Sequence, residues 1–125
     1  MEFHINSTDI ENLVTSFYKK VQADELLGPV FNDIVQVDWQ EHLLLLNKFW
    51  RSIMLKTREY HGNAYSKHAF LAQKTLITEA HFARWLNLFT QEAHDYLSAE
   101  DADTIVVRAN SIANSLRRAM LKNTE

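Results

Sequence analysis

The chain has 125 residues, no cysteine and a formal net charge of -3 at pH 7. That length suits one domain over 1–125 with a core that needs no staples; the missing thiols exclude disulfides, zinc knuckles and cysteine-held iron–sulfur clusters, and the charge gives no basic field for nucleic acid. Neither a secretory leader nor a long uncharged apolar run is visible, so the expectation is a soluble, cytoplasmic protein with no membrane span.

Two glycines and one proline are few for this length, which favours helices over hairpins. Thr8-Asp9-Ile10-Glu11 reads as the capping box of a first helix. Ile10, Leu13, Val14, Phe17, Tyr18 and Val21 form its apolar stripe, with Tyr18 inward. A buried Tyr18 hydroxyl would need a partner. Asp24 to Phe31 ends this helix. Gly28-Pro29 blocks its continuation and forces a corner, after which Phe31 turns inward.

Asp38 is a good N-cap for a second helix running to about Lys56. Its row His42, Leu46, Phe49, Ile53 places a histidine among apolar residues. His42 either points into an apolar cavity or snorkels from the first turn. Tyr60-His61-Gly62-Asn63-Ala64-Tyr65-Ser66-Lys67-His68-Ala69-Phe70 follows, polar and broken before His68 and apolar after it. The connection 57–77 is long for a helical bundle, with a short, loop-like helix expected around His68. Connections of that length tend to be functional. His68 is then either an ordinary satisfied histidine or a metal ligand.

Thr78 can cap a third helix with the stripe Phe82, Trp85, Leu86, Phe89, Ala93, Tyr96. Three or more aromatics on one stripe suit a plain core, yet a buried Trp85 N–H needs an acceptor. Ser98-Ala99-Glu100-Asp101 starts a last helix carrying Ile105, Ala109, Ile112, Ala113, Leu116 and Met120. Arg117, Arg118 and Lys122 read as its solvated C-terminal end.

Several chemistries are excluded by spacing. No Glu-x-x-His pairs serve a di-iron bundle. No His-Glu-x-x-His, phosphate loop or nucleophile elbow is present. Six histidines without cysteine leave haem as the best metal hypothesis.

Across nearly its whole length the chain resembles the truncated haemoglobins, in particular their group III branch. The residues that carry the likeness are Phe17-Tyr18-x-Lys20-Val21, Asp24, Leu27-Gly28-Pro29-Val30-Phe31-Asn32, Trp39-x-x-His42 and Phe49-Trp50. Tyr60-x-Gly62-Asn63, Lys67-His68 and Phe82-x-x-Trp85-Leu86-x-Leu88-Phe89 complete it. Their order and spacing together are specific. The chain departs from the family pattern at Ala64 and in Ala69 to Lys74, where relatives often carry proline.

The resemblance implies an all-α, shortened globin fold, a two-over-two helical sandwich around haem b. It implies His68 as proximal iron ligand, Tyr18 and Trp85 as distal hydrogen-bond donors, and His42 as the distal histidine governing access. Phe31, Leu46, Phe49, Trp50, Tyr60, Lys67 and Phe82 would line or support the haem pocket. An imidazole ligand leaves the sixth iron position open to O2, CO or NO. Donors aimed at a ligand that gains negative charge stabilise it, more so in a dry pocket. The leading expectation is therefore a reversible oxygen-binding globin. A haem enzyme, acting as NO dioxygenase or peroxidase, would need a separate redox partner, because no flavin or nicotinamide motif is present. A haem-free helical interaction module is the competing class.

Overall fold

A computed structural model describes residues 5–34, 38–58, 60 and 77–120, and these are predominantly helical with no strand among them. The short helix expected around His68 lies outside the described residues. Helix α1 spans Ser7–Ala23. Its N-cap is Asn6, two residues ahead of the Thr8 expected from the sequence. The Asn6 side-chain oxygen accepts from the Asp9 N–H at 2.9 Å, and the Asn6 N–H donates to the Asp9 carboxylate at 3.1 Å. Asparagine caps as well as aspartate does, and Asp9 three residues on closes the box.

The corner after α1 begins at Asp24, four residues before Gly28. Asp24 is extended, and its carboxylate accepts from the N–H groups of Leu26 and Leu27 at 3.0 and 2.9 Å. Gly28 serves a different purpose from the one its sequence position suggests. Its φ is not positive, but a Cβ there would lie 2.6 Å from the Gln22 backbone oxygen. The chain doubles back onto α1 at a distance only a hydrogen permits. Gly28→Ala should therefore destabilise the fold by about 1–3 kcal/mol, the usual range for forced overpacking. Urea denaturation of parent and variant checks this.

A single π-helical turn, Val30–Ile34, leads to helix α2, Trp39–Leu55. Asp38 caps α2 as the sequence predicts, and Lys56 closes it in the left-handed conformation at φ 59°. Helix α3 spans Glu79–Tyr96 and helix α4 spans Ala99–Met120. The Asp101 N–H bonds to the Ser98 hydroxyl at 3.2 Å, as the last start signal implies.

The α3 start carries a device not visible beforehand. The Thr78 N–H donates to His81 Nδ1 at 3.0 Å. That nitrogen must be unprotonated to accept. Burial holds the His81 pKa below its ordinary 6.5. The unfolded chain therefore binds this proton at higher pH than the folded chain does. The contribution of the cap is complete above about pH 6.5 and is lost as pH falls from there through the folded pKa. Stability of the parent should fall more steeply between about pH 7.5 and 5.5 than that of His81→Gln, since glutamine caps without titrating in this range. Parallel slopes in denaturation curves would remove His81 from the account.

Helix α1 packs on α2 and α3, and α3 packs on α4. The main core joins Ile10, Leu13, Val14, Phe17 and Val21 of α1 to Trp50, Phe89, Ile105 and Ala109. Ala93 on α3 and Ala102 on α4 are fully buried, so small side chains let these helices approach closely. A second cluster gathers Val30, Ile77, Phe82, Ala113, Ala119 and Met120.

Two surface expectations change, and one buried charge is new. Tyr96 is 46 % exposed rather than inward. It lies at the C-terminal end of α3, beyond the covered part of the stripe. Arg117 is not simply a solvated end: its guanidinium grips both Glu79 oxygens at 2.6 Å, tying the end of α4 to the start of α3. Glu92, unremarked in the sequence, is 1 % exposed. It pairs with Lys20 and accepts from the Ser16 hydroxyl at 3.0 Å, which locks α1 to α3.

Candidate functional site

Tyr18 is the centre of the site. It projects from α1 into the core and is 4 % exposed. Burial, partly offset by a hydrogen bond from the Trp85 side chain, pushes its pKa up to about 12. The phenol is therefore neutral at physiological pH and keeps its proton. The indole N–H of Trp85 can only donate, so the Tyr18 oxygen accepts it. No acceptor for the Tyr18 proton is found among the described residues. The Tyr18 proton is therefore not committed to any described residue.

Aromatic rings hold this pair in place. Phe17 meets Tyr18, Trp85 and Phe89 edge-on at 4.6, 5.5 and 5.0 Å. Trp85 stacks on Phe89 at 5.5 Å, and Phe89 stacks on Trp50 at 5.0 Å. These offset and edge contacts are the favoured aromatic geometries. They hold the Trp85 ring beside Tyr18.

The other side of Tyr18 faces Phe31, Trp39 and His42, at ring distances of 6.4, 5.9 and 6.3 Å. Phe31 turns inward as expected and contacts both Trp39 and His42. The π-helical turn that presents Phe31 is pinned twice through Asn32. The Asn32 side chain donates to the Gln22 carbonyl at 3.2 Å and accepts from the Trp39 indole at 3.1 Å. Trp39 was not singled out as a site residue from sequence, although it lies three residues before His42 and so shares its face of α2.

His42 sits in the first turn of α2, its N–H on the Asp38 carbonyl at 2.8 Å. It is half-buried. On one side it touches the aromatic cage. On the other it lines an open groove of about 530 Å³ with Asp38, Glu41, Leu44, Leu45 and Lys48. His42 thus stands between the surface and the cage.

The rest of α2 is unusually uncovered for its composition. Only Asn47 and Trp50 are buried, while Leu43, Leu45, Leu46, Phe49 and Ile53 are half-covered. A helix this apolar ordinarily hides more of its surface. Leu46 and Phe49 pack against the core margin, and Phe49 meets Tyr60 edge-on at 5.1 Å. The backbone N–H of Tyr60 is held by the Ser52 hydroxyl at 3.0 Å. A flat, apolar group with one polar centre fits these features: half-covered leucines and Phe49 for its faces, and the Tyr18 proton for its polar ligand. Haem has that character.

The expected residues thus fall into four sets. Tyr18, Trp85, His42 and Phe31 converge. Leu46, Phe49 and Tyr60 follow along α2, with Trp50 behind them as support. Phe82 lies in the second core cluster, which it shares with half-buried Phe31 and Trp85 as neighbours. Lys67 and His68 lie outside the described residues. Among the described residues, no three His, Asp or Glu side chains are grouped to hold a metal ion, and no helix is long and apolar enough to cross a membrane.

No family model matches the chain. A group 3 truncated haemoglobin of Campylobacter jejuni is 31% identical over 121 residues, covering 94% of this chain and 93% of that protein. The crystal structure of a group III truncated haemoglobin from Campylobacter jejuni matches the fold with a TM-score of 0.83 at 31% identity. That match covers 96% of this chain and 95% of the other.

Proposed function

The chain belongs to the group III truncated haemoglobins, and from that premise we propose a haem b globin that reversibly binds O2, CO and NO at a five-coordinate iron held by His68. The observation that supports this reading best is the buried, neutral Tyr18 hydroxyl, fixed by Trp85 within an aromatic cage. When bound, haem supplies an iron centre with one coordination position free for a diatomic gas.

The chain's own residues set what happens beside that position. Tyr18 offers its proton as a hydrogen-bond donor. Trp85 donates to the Tyr18 oxygen, which strengthens Tyr18 as a donor, and the family likeness implies it as a second donor to the ligand. Neither brings a net charge into the cage. Phe31, Leu46 and Phe49 keep water away, so each donor acts in a medium of low dielectric. Trp50 and Phe82 support these walls, Tyr60 stands towards the margin beside Phe49, and Lys67 is a cofactor contact that the family likeness implies. Haem retention and ligand binding are tested by absorption spectra of the ferric, ferrous and CO-bound protein. A purified protein that takes up no haem on reconstitution would refute the reading.

His42 governs access. It separates the open groove from the cage, so a rotation about its side chain opens or closes the way in. His42→Ala should speed CO association severalfold and change dissociation far less. Flash photolysis measures the first and ligand replacement the second. A dissociation effect as large as that of removing Tyr18 would make His42 a principal donor instead.

A further inference from the structure

Trp39 touches three rings of the cage, and gas binding as proposed above gives it no part. Its ring lies 5.9 Å from that of Tyr18, 5.6 Å from Phe31 and 5.5 Å from His42. The contact with His42 is edge-on at 79°, a favoured geometry between aromatic rings. His42 follows Trp39 by three residues on α2. A long helical side chain leans back over the preceding turn and is held to two χ1 wells. Trp39 therefore stands where the choice between those wells is made. In the structure the His42 ring is turned against Tyr18 and Phe31, at 6.3 and 6.4 Å.

Trp39 is itself fixed. Its indole N–H donates to the Asn32 side-chain oxygen at 3.1 Å, and the Asn32 amide donates to the Gln22 carbonyl at 3.2 Å. An indole N–H only donates and a carbonyl only accepts, so the orientation of the Asn32 amide is determined. Gln22 belongs to the last turn of α1, where carbonyls have no partner within the helix. Gly28 lets the corner close onto that same oxygen. An unbroken series of bonds thus runs from the α1 backbone to the ring that backs His42. We propose that Trp39 is a positioning residue for the entry gate: anchored through Asn32 to α1, it holds the His42 imidazole against the cage and so slows the entry of a diatomic ligand. The proposal rests on the haem reading and on His42 as its gate.

Two measurements on haem-loaded protein test it, the absorption band being recorded first. Diethyl pyrocarbonate acylates unprotonated imidazole, and peptide mass spectrometry gives the rate at each histidine, with exposed His94 as the reference within each sample. Asn32→Leu leaves every ring of the cage in place and cuts only the anchor. It should raise the His42 rate severalfold relative to His94, and Trp39→Leu should do the same. CO association after flash photolysis is then compared in the parent, Trp39→Leu, His42→Ala and the double variant. Trp39→Leu should speed entry severalfold when His42 is present and add nothing when it is absent. An unchanged His42 rate in Asn32→Leu would overturn the positioning role. Equal acceleration by Trp39→Leu with and without His42 would also overturn it, since the indole would then be a barrier in its own right. Either result leaves the haem reading intact, whereas a parent without a haem band would overturn both.

Discussion

Replacing His68 with alanine should strip the protein of most of its haem, and added imidazole should restore the absorption band. The described residues that converge on Tyr18, namely Phe31, Trp39, His42 and Trp85, are all aromatic, and no three His, Asp or Glu side chains among the described residues are grouped to hold a metal ion. His42 is the one described histidine that touches the cage, and it does so from the access side. His68 lies outside the described residues and is the imidazole that the family likeness assigns to the iron. The loss should also appear as stability. A ligand present at about a hundredfold over its dissociation constant stabilises the native state by about 2.7 kcal/mol. His68→Ala should forfeit roughly that amount on mixing with haem, while matching the parent when both are haem-free. Thermal melts with and without haem measure the difference. An unchanged spectrum and an unchanged haem-dependent shift in Tm would assign the ligand elsewhere.

Helix positions were legible in the sequence because local signals are short-range. Asp38, Thr78 and Ser98 each announce a helix within one turn, and each helix starts there. Even the misplaced first cap illustrates the rule. Asn6 and Thr8 are both competent, and the choice between them depends on which one Asp9 can answer. Periodicity likewise put Tyr18 and Phe89 inward, since a stripe of period 3.6 has one buried side. Periodicity cannot say where a stripe stops being covered, which is why Tyr96 was misjudged. Nor can it pair residues far apart in the chain. Glu92 with Lys20, and Arg117 with Glu79, require knowing that α3 packs on both α1 and α4. The site shows the same division. Tyr18, Trp85, Phe31 and His42 could be named one by one. Their convergence, and the way Asn32 ties Trp39 against them, belongs to tertiary structure alone.

Removing Tyr18 or Trp85 should speed O2 release by about ten- to a hundredfold, since a hydrogen bond to a charged acceptor is worth roughly 1.5–3 kcal/mol. O2 takes on negative charge when it binds and CO takes on little. CO release should therefore respond much less. The two residues do not act alike. Tyr18 is the group with the free proton. Trp85 holds the Tyr18 oxygen and stacks on Phe89, so it acts both as an orienting partner and as a second donor. Tyr18→Phe removes the proton outright and frees the Trp85 N–H to turn toward the ligand. Trp85→Phe leaves the Tyr18 hydroxyl in place but loose, and a loose donor is a weaker one. Each single replacement is thus partly masked by the survivor, and the double replacement, which leaves no survivor, should lose more than the sum of the singles. A double-mutant cycle then gives a coupling beyond the few tenths of a kcal/mol, roughly, that independent sites show. Stopped-flow dissociation of O2 and CO from the parent, both singles and the double supplies every number required. Equal acceleration of O2 and CO would mean that the replacements only loosen packing, and additive singles would mean that the hydroxyl and the indole act on separate ligand positions.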